Sequence, residues 1–254
     1  MSLAIRLFGG PTVTFTLGGL TFITDPTFDA PGEYPMGTRT LTKTAAAAGT
    51  PADAGPVDVV LLSHDQHPDN LDAAGRDFCA TVPLVLCTTT AAERLGPPAR
   101  ALPTFTHIDL PRPDGAGDLR VTAVPAQHGP DGTEHLTGPV TGFVLDGDGV
   151  PTVYVSGDNA SLRVVREIAA RFPDIDVAIL FGGAARTPLV ADANLTLDAN
   201  EMVEATRILG ASTVVPAHVD SWSHFTEGLA DVRAAFTAAG LADLLLVPQP
   251  PQRS

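Results

Sequence analysis

The sequence predicts an α/β fold, an αββα sandwich of two mixed β-sheets face to face with helices outside, built by residues 1–254 as one domain. Three observations predict it. Short strands come first, then strands alternate with helices, and no linker divides the two parts. The runs VDVVLLS (57–63) and IDVAILF (175–181) are apolar enough to be buried on both faces, as strands inside a layered fold are. Histidine and aspartate side chains recur just past the ends of four strands. A single two-layer α/β sheet satisfies the same periodicity and stays open as the rival arrangement.

Taken in order, residues 3–8, 12–17 and 20–24 are short, β-branched and apolar, with Gly-Gly pairs between them. Gly18-Gly19 reads as a hairpin turn. Residues 25–56 are rich in Pro, Gly, Thr and Ala and read as one long irregular stretch. Loops of that length are either disordered or functional, and a lid beside a site is one of the two readings. The buried strand 57–63 follows. Residues 71–79 are helical, 84–87 a strand and 89–95 a short helix. Residues 119–125, 140–145 and 152–156 read as strands, and 162–172 has helical spacing. The strand 175–181 is followed by a helix over 197–209 that Gly210 ends. A strand at 213–215, a helix at 229–239 and a last strand at 244–247 complete the chain.

Composition narrows the function. The chain has 254 residues, 44% of them hydrophobic and 17% charged, which fits a globular protein and not a disordered one. Its formal charge of -14 repels phosphate backbones, so no nucleic-acid partner is expected. The acidity does not exclude an anionic small molecule, because a bound dication reverses the sign locally. Cys79 and Cys87 form no CxxC pair and read as small buried hydrophobes. MSLAIRLFGG lacks the long apolar run of a signal peptide, and no stretch approaches the ~20 residues of a membrane span. A cytoplasmic protein with no membrane partner is expected. Homo-oligomer formation is compatible with the sequence.

The placement of the ionisable residues carries the chemistry. His64 and His67 follow the strand ending at Ser63, and His128 follows the one ending at Pro125. Asp158 follows the strand ending at Ser156, and His218 the one near Val215. Ligands gather where strand ends and loops converge, because the scaffold is rigid there and the loops can vary. The octapeptide SHDQHPDN (63–70) is dense in metal-ligand types: imidazole nitrogen suits zinc, iron and manganese, and carboxylate adds compensating charge. A polar loop with ordinary surface histidines is the bland alternative, and the three downstream partners argue against it.

The ordered set SHDQHPDN, AQHGP, YVSGDN and VPAHVD, preceded by GGLTFITDPTF, resembles the metallo-β-lactamase superfamily and most of all its ascorbate-6-phosphate-lactonase-like hydrolases. Each motif alone is weak; the ordered set over nearly the whole chain is strong. The resemblance implies that His64, His67 and His128 hold a first divalent metal ion. Asp69, Asp158 and His218 would hold a second, with Asp158 bridging. It also implies a metal-activated water with its pKa lowered toward ~7, and a catalytic Asp69 that orients that water or takes its proton. Zinc is the expected ion, with manganese or iron as alternatives.

Two departures from the pattern matter. The family separates its first two histidines by one residue, whereas two lie between His64 and His67; either the loop bulges or Asp65 takes the first ligand position, and the bulge is favoured. The family's last histidine is Asn70 here, a neutral and weaker ligand, so the second ion is expected to be held less firmly, and Asn70→His to tighten it. His224, six residues past His218, is a candidate catalytic or substrate-facing residue, with aromatic packing as its alternative. For His135, in the loop after His128, approach to the site is the lesser reading; His107 is placed in a surface loop, and Trp222 in packing. Gly182 and Gly183 are expected to allow close backbone approach.

The resulting expectation is a hydrolase acting on a small ester, lactone, amide or phosphodiester, with lactones mildly preferred through the resemblance alone. An iron-dependent oxygenase or oxidoreductase on the same fold is the second class. A non-catalytic metal-binding protein with a degenerate second site is the third.

Overall fold

The computed structural model describes residues 3–37, 39–190 and 193–251. In chain order the strands of the first half are β1 (Ala4–Gly9), β2 (Thr12–Leu17), β3 (Leu20–Thr24), β4 (Gly32–Met36), β5 (Arg39–Lys43) and β6 (Val59–Leu61). Helix α1 (Ala73–Cys79), β7 (Leu84–Cys87), α2 (Thr89–Leu95) and β8 (Ala99–Ala101) follow. Next come β9 (His107–Pro111), β10 (Asp118–Pro125), α3 (Glu134–Thr137), β11 (Thr141–Gly147) and β12 (Val153–Val155). Helix α4 (Leu162–Arg171), β13 (Val177–Phe181), α5 (Ala199–Leu209), β14 (Thr213–Ala217) and α6 (Leu229–Ala238) complete the order.

One sheet runs β1-β2-β3-β6-β7-β8 and the other β14-β13-β12-β11-β10-β9. Both are mixed. The β1-β2-β3 meander is antiparallel, and β3, β6, β7 and β8 pair in parallel. In the second sheet β9 to β12 are antiparallel and β12-β13-β14 parallel. The period of two in each central strand sorts side chains between layers. Val59 and Leu61 of β6, with Val177, Ile179 and Phe181 of β13, enter the core between the sheets. Val60 and Leu62 turn outward under the helices, joining Cys79 of α1 and Ala91 of α2. Ala178 and Leu180 turn outward against α4, α5 and α6. The fold is thus the αββα sandwich of two mixed sheets, and the two-layer rival is excluded because both sheets contribute to one core.

The helix boundaries follow local chemistry. Asp72, Thr88 and Ser161 each accept a backbone N–H at the N-cap of α1, α2 and α4. Asp198 and Glu201 form a reciprocal capping box on α5. Among the described residues no helix is long and apolar enough to cross a membrane.

Several elements differ from expectation. The stretch 25–56 is not irregular throughout: it contains the β4-β5 hairpin, paired from Gly32↔Lys43 to Met36↔Arg39, and a 3₁₀ turn at Pro51–Ala54. Thr38 of that stretch lies outside the described residues. The hairpin is pinned at Lys43, whose side chain is buried, pairs with Asp72 at 3.1 Å and lies over the Trp222 ring. The strand expected at 244–247 is a 3₁₀ turn (Ala242–Leu244) followed by a single bridge, Val214↔Leu245. The short strand β8, the edge strand β9 and the one-turn α3 were not expected. His107 consequently sits in β9, exposed at the sheet edge, and not in a loop.

Candidate metal centre

Asp25 anchors the loop after β6. Its fully buried carboxylate accepts from the Ser63 backbone N–H at 2.6 Å, from the Ser63 hydroxyl, and from the Asn70 amide at 3.0 Å. Burial pushes its pKa up to about 7 even though these three bonds favour the charged form. With its hydroxyl hydrogen on Asp25, Ser63 Oγ accepts from His64 Nδ1 at 2.8 Å. That fixes the His64 tautomer and leaves a lone pair on Nε2.

That nitrogen faces two others. His64 Nε2 lies 2.9 Å from His67 Nδ1, which lies 3.3 Å from His128 Nε2. His128 Nδ1 donates to the Leu195 carbonyl at 2.8 Å, so its Nε2 also presents a lone pair. Burial, followed by the neighbouring rings, holds His64 well below the usual imidazole range. The same causes, with burial again first and His128 second, bring His67 down to about 4. Neutral imidazoles with converging lone pairs are the donor set a transition metal takes.

Asp69, Asp158 and His218 form a second group whose ligand atoms lie within 4.8 Å of one another. His218 Nε2 lies 3.3 Å from Asp69 Oδ2 and 3.5 Å from Asp158 Oδ1. Asp158 Oδ2 points the other way, 3.7 Å from His128 Nε2 and 3.9 Å from His64 Nε2. One carboxylate thus faces both groups. Gly157 makes this placement possible: its φ is +57°, and a Cβ there would stand 2.6 Å from the Thr141 carbonyl. Gly183 similarly passes the His218 carbonyl, where a Cβ would come within 2.6 Å. The backbone approach expected at 182–183 is therefore present.

The donor set fits divalent ions on a direct observation. Asp69 Oδ1, Asp158 Oδ2 and His218 Nε2 are buried polar atoms with no hydrogen-bond partner among the described residues. Such atoms are costly unless something else pairs them. Burial opposes ionisation of both carboxylates. The charge of His218 and the hydrogen bond and charge of His224 outweigh it at Asp69, and the charges of His218, His128 and His64 outweigh it at Asp158. Both acids stay well below the usual carboxylate range. Burial likewise disfavours a charged His218, yet Asp158 and Asp69 raise its pKa to about 10.

That shift predicts a proton-coupled second site. Without metal, His218 carries a proton at every pH below about 10, and an ion binding its Nε2 must displace it. Affinity at the Asp69-Asp158-His218 group should therefore rise about tenfold per pH unit up to that value. Calorimetry at pH 7 in buffers of different ionisation enthalpy should show about one proton released with the ion; a proton count of zero would show that His218 is already neutral in the metal-free protein and overturn the coupling.

The expected residues are thus brought together, with His64 and not Asp65 in the trio, as the favoured bulge has it. Asp65 is not in the group: it accepts from the Arg94 guanidinium and lies 3.8 Å from Arg76. His64 supplies the nitrogen, as the bulged loop requires. Asn70 is held through its amide nitrogen, while its Oδ1 is buried without a hydrogen-bond partner among the described residues. Its amide nitrogen donates to Asp25 and, at 3.2 Å, to Asp158, because both neighbours are acceptors and only the N–H₂ end can face them. His224 Nε2 lies 3.1 Å from Asp69 Oδ2 and its ring lines the adjoining cavity. His135 bonds the Gly132 carbonyl and does not line that cavity. Trp222 is packed, 3% exposed, against Tyr34 and Lys43.

The cavity has a volume of about 320 Å³ and opens onto His67, Asp69, His128 and His224. Met36, Arg39, Thr40 and Leu41 of the hairpin form one wall, and residues 185–189 another. Sequence reasoning missed Arg39, Thr187 and the anchoring role of Asp25. The only signals were the Asp25-Pro26 pair and an arginine in a stretch read as irregular.

A family model described as a beta-lactamase superfamily domain matches residues 21–219. A UPF0173 metal-dependent hydrolase of Pelotomaculum thermopropionicum is 28% identical over 205 residues, 77% of this chain and 82% of that protein. Among solved structures, a possible metal-dependent hydrolase of Veillonella parvula superposes with a TM-score of 0.83 at 17% identity, over 99% of this chain and 98% of that one. CmlA, a diiron β-hydroxylase from Streptomyces venezuelae, superposes at 0.64 and 17% identity, over 97% of this chain and 53% of that one. At these identities the structures share the fold alone, and a fold hosting both names does not choose between them.

Proposed function

This chain belongs to the beta-lactamase superfamily, and we propose that within it the protein is a metal-dependent hydrolase of a small ester, lactone, amide or phosphodiester. The observation that supports this reading best is Asp158: one buried carboxylate faces a trio of imidazoles and an Asp-His pair, and His67, His128 and Asp69 of these groups line a substrate-sized cavity. His64, His67 and His128 would hold one ion, and Asp69, Asp158 and His218 the other. Zinc suits the imidazole trio best, and manganese or iron also suit the mixed set. Bound there, the ions would lower the pKa of a water toward ~7 and polarise the scissile group. A small-molecule substrate, a cytoplasmic location and the absence of nucleic-acid and membrane partners belong to the same reading, consistent with the acidic chain.

The chain's own part in the chemistry is proton handling and positioning. Asp69 Oδ2 bonds His224 Nε2, and the His224 side chain is 14% exposed on the cavity side. The pair can take a proton from the attacking water and return it to the leaving oxygen or nitrogen as the scissile bond breaks. Leu195 holds the His128 ring through its carbonyl, and Ser63 holds His64.

Metal content by mass spectrometry, followed by an ester, lactone and phosphodiester panel, tests the reading. In His224→Gln turnover should fall about 10²-fold with metal content unchanged. Stoichiometric iron, oxygen uptake and no hydrolysis would replace the reading with an oxygenase. A chain that binds no metal would reduce it to a non-catalytic protein.

A further inference from the structure

The cavity beside the donor groups has an unusual charge balance for a chain of net charge -14. Its lining holds two guanidiniums, Arg39 and Arg186, and one carboxylate, Asp69, which is already committed to His218 and His224. Elsewhere on the surface Arg94, Arg112, Arg120 and Arg163 pair with aspartates. Arg39 has no carboxylate within ion-pair distance among the described residues. Among the described residues it makes one hydrogen bond, from Nη1 to Thr187 Oγ1, which ties the hairpin to the opposite wall. A guanidinium carries five N–H donors in a fixed fork, so most of its donors remain for a ligand. Arg39 lines the same cavity as His67.

The arginine is presented from a fixed support. Lys43, at the far end of the same strand, is buried against Asp72 and Trp222. Backbone bonds from Thr44 to the Ser221 carbonyl and from Ser223 to the Thr42 carbonyl fasten that strand to the loop after β14. Around the mouth, Met36, Leu136 and Leu189 make an apolar rim, and the two leucines are 37% and 46% exposed. Apolar walls with a few placed polar groups are how small-molecule sites fix orientation.

We infer that the substrate of this site is an amphiphilic small molecule: an apolar body held by the leucine and methionine rim, and an oxyanion, carboxylate or phosphate, gripped by Arg39. The inference rests on the reading of this cavity as the substrate site and adds the class of molecule it accepts. At about 320 Å³ the space equals roughly ten water volumes, which fits a chain or ring of modest size and not a polymer.

Calorimetric titration of the metal-loaded protein with hexanoate, hexyl phosphate and hexanamide separates the possibilities without requiring turnover. Wild type should bind one of the two anions at least about tenfold more tightly than the amide, the worth of a charge-assisted fork. Arg39→Gln should erase that preference, leaving hexanamide binding and metal content unchanged, and Arg39→Lys should restore it in part. The better anion identifies the oxyanion. An anion preference that survives Arg39→Gln would place the anion on the metal and overturn the proposal. So would equal binding of anions and amide by wild type. If no ester is hydrolysed but the Arg39-dependent preference is found, the hydrolase reading fails and this inference stands.

Discussion

Asp158→Ala is expected to leave the protein unable to hold either ion firmly and to abolish turnover. Its two oxygens point in different directions. Oδ2 faces His64 and His128 at 3.9 and 3.7 Å, and Oδ1 faces His218 at 3.5 Å. Removing the carboxylate takes a negative donor from both groups and an acceptor from Asn70. Losing a partner that only orients a ligand typically costs about 10–100-fold in affinity or activity; losing a shared ligand should exceed that at both ions. Asp69→Ala is the control, since its carboxylate lies within ion-pair distance of His218 and His224 and, among the described residues, of none of the imidazole trio. It should lower turnover while one ion per chain survives dialysis. Metal per chain and kcat/KM on both variants measure this, and an Asp158→Ala protein that retained two ions would show that the carboxylate is not shared.

What could be read from the sequence follows burial. Strands β6 and β13 were legible because VVL and VAILF are buried on both faces and so are continuous apolar runs. The β4-β5 hairpin was not. Its strands, GEYPM and RTLTK, are exposed or half-buried except at Lys43, and Pro35 interrupts the first. What makes it a hairpin is tertiary: the Lys43-Asp72 pair and the bridge to Trp222. The edge strand β9 alternates exposed and half-buried residues, a pattern too weak to separate from a loop. The expected last strand failed for the opposite reason, since apolar residues 244–247 pack without forming more than one bridge.

The same distinction holds at the site. His64, His128, Asp158 and His218 stand just past strand ends, so local sequence announces where each will be. Asp25 reaches Ser63 and Asn70 across 38 and 45 residues of chain, and Arg39 reaches Thr187 across 148. No local pattern encodes such contacts.

Asn70→His is accordingly expected to weaken the site, not to complete it. From the motif alone, histidine at this position restores a ligand. In the structure the Asn70 side chain is fully buried, and its N–H₂ group bridges Asp25 Oδ2 at 3.0 Å and Asp158 Oδ1 at 3.2 Å. An imidazole is bulkier and cannot place two N–H groups in that fork. Overpacking a filled interior costs about 1–3 kcal/mol, and a buried acceptor left without its donor about as much again. Asp25, already raised to about 7 by burial, should move higher once the amide that favours its charged form is gone. Asp158 should lose its orientation, and with it about 10–100-fold in affinity for the second ion. Denaturant unfolding of the metal-free protein and metal titration of the folded one measure the two effects separately. An Asn70→His protein as stable as wild type and binding its second ion more tightly would return Asn70 to the ligand position and make the amide bridge incidental.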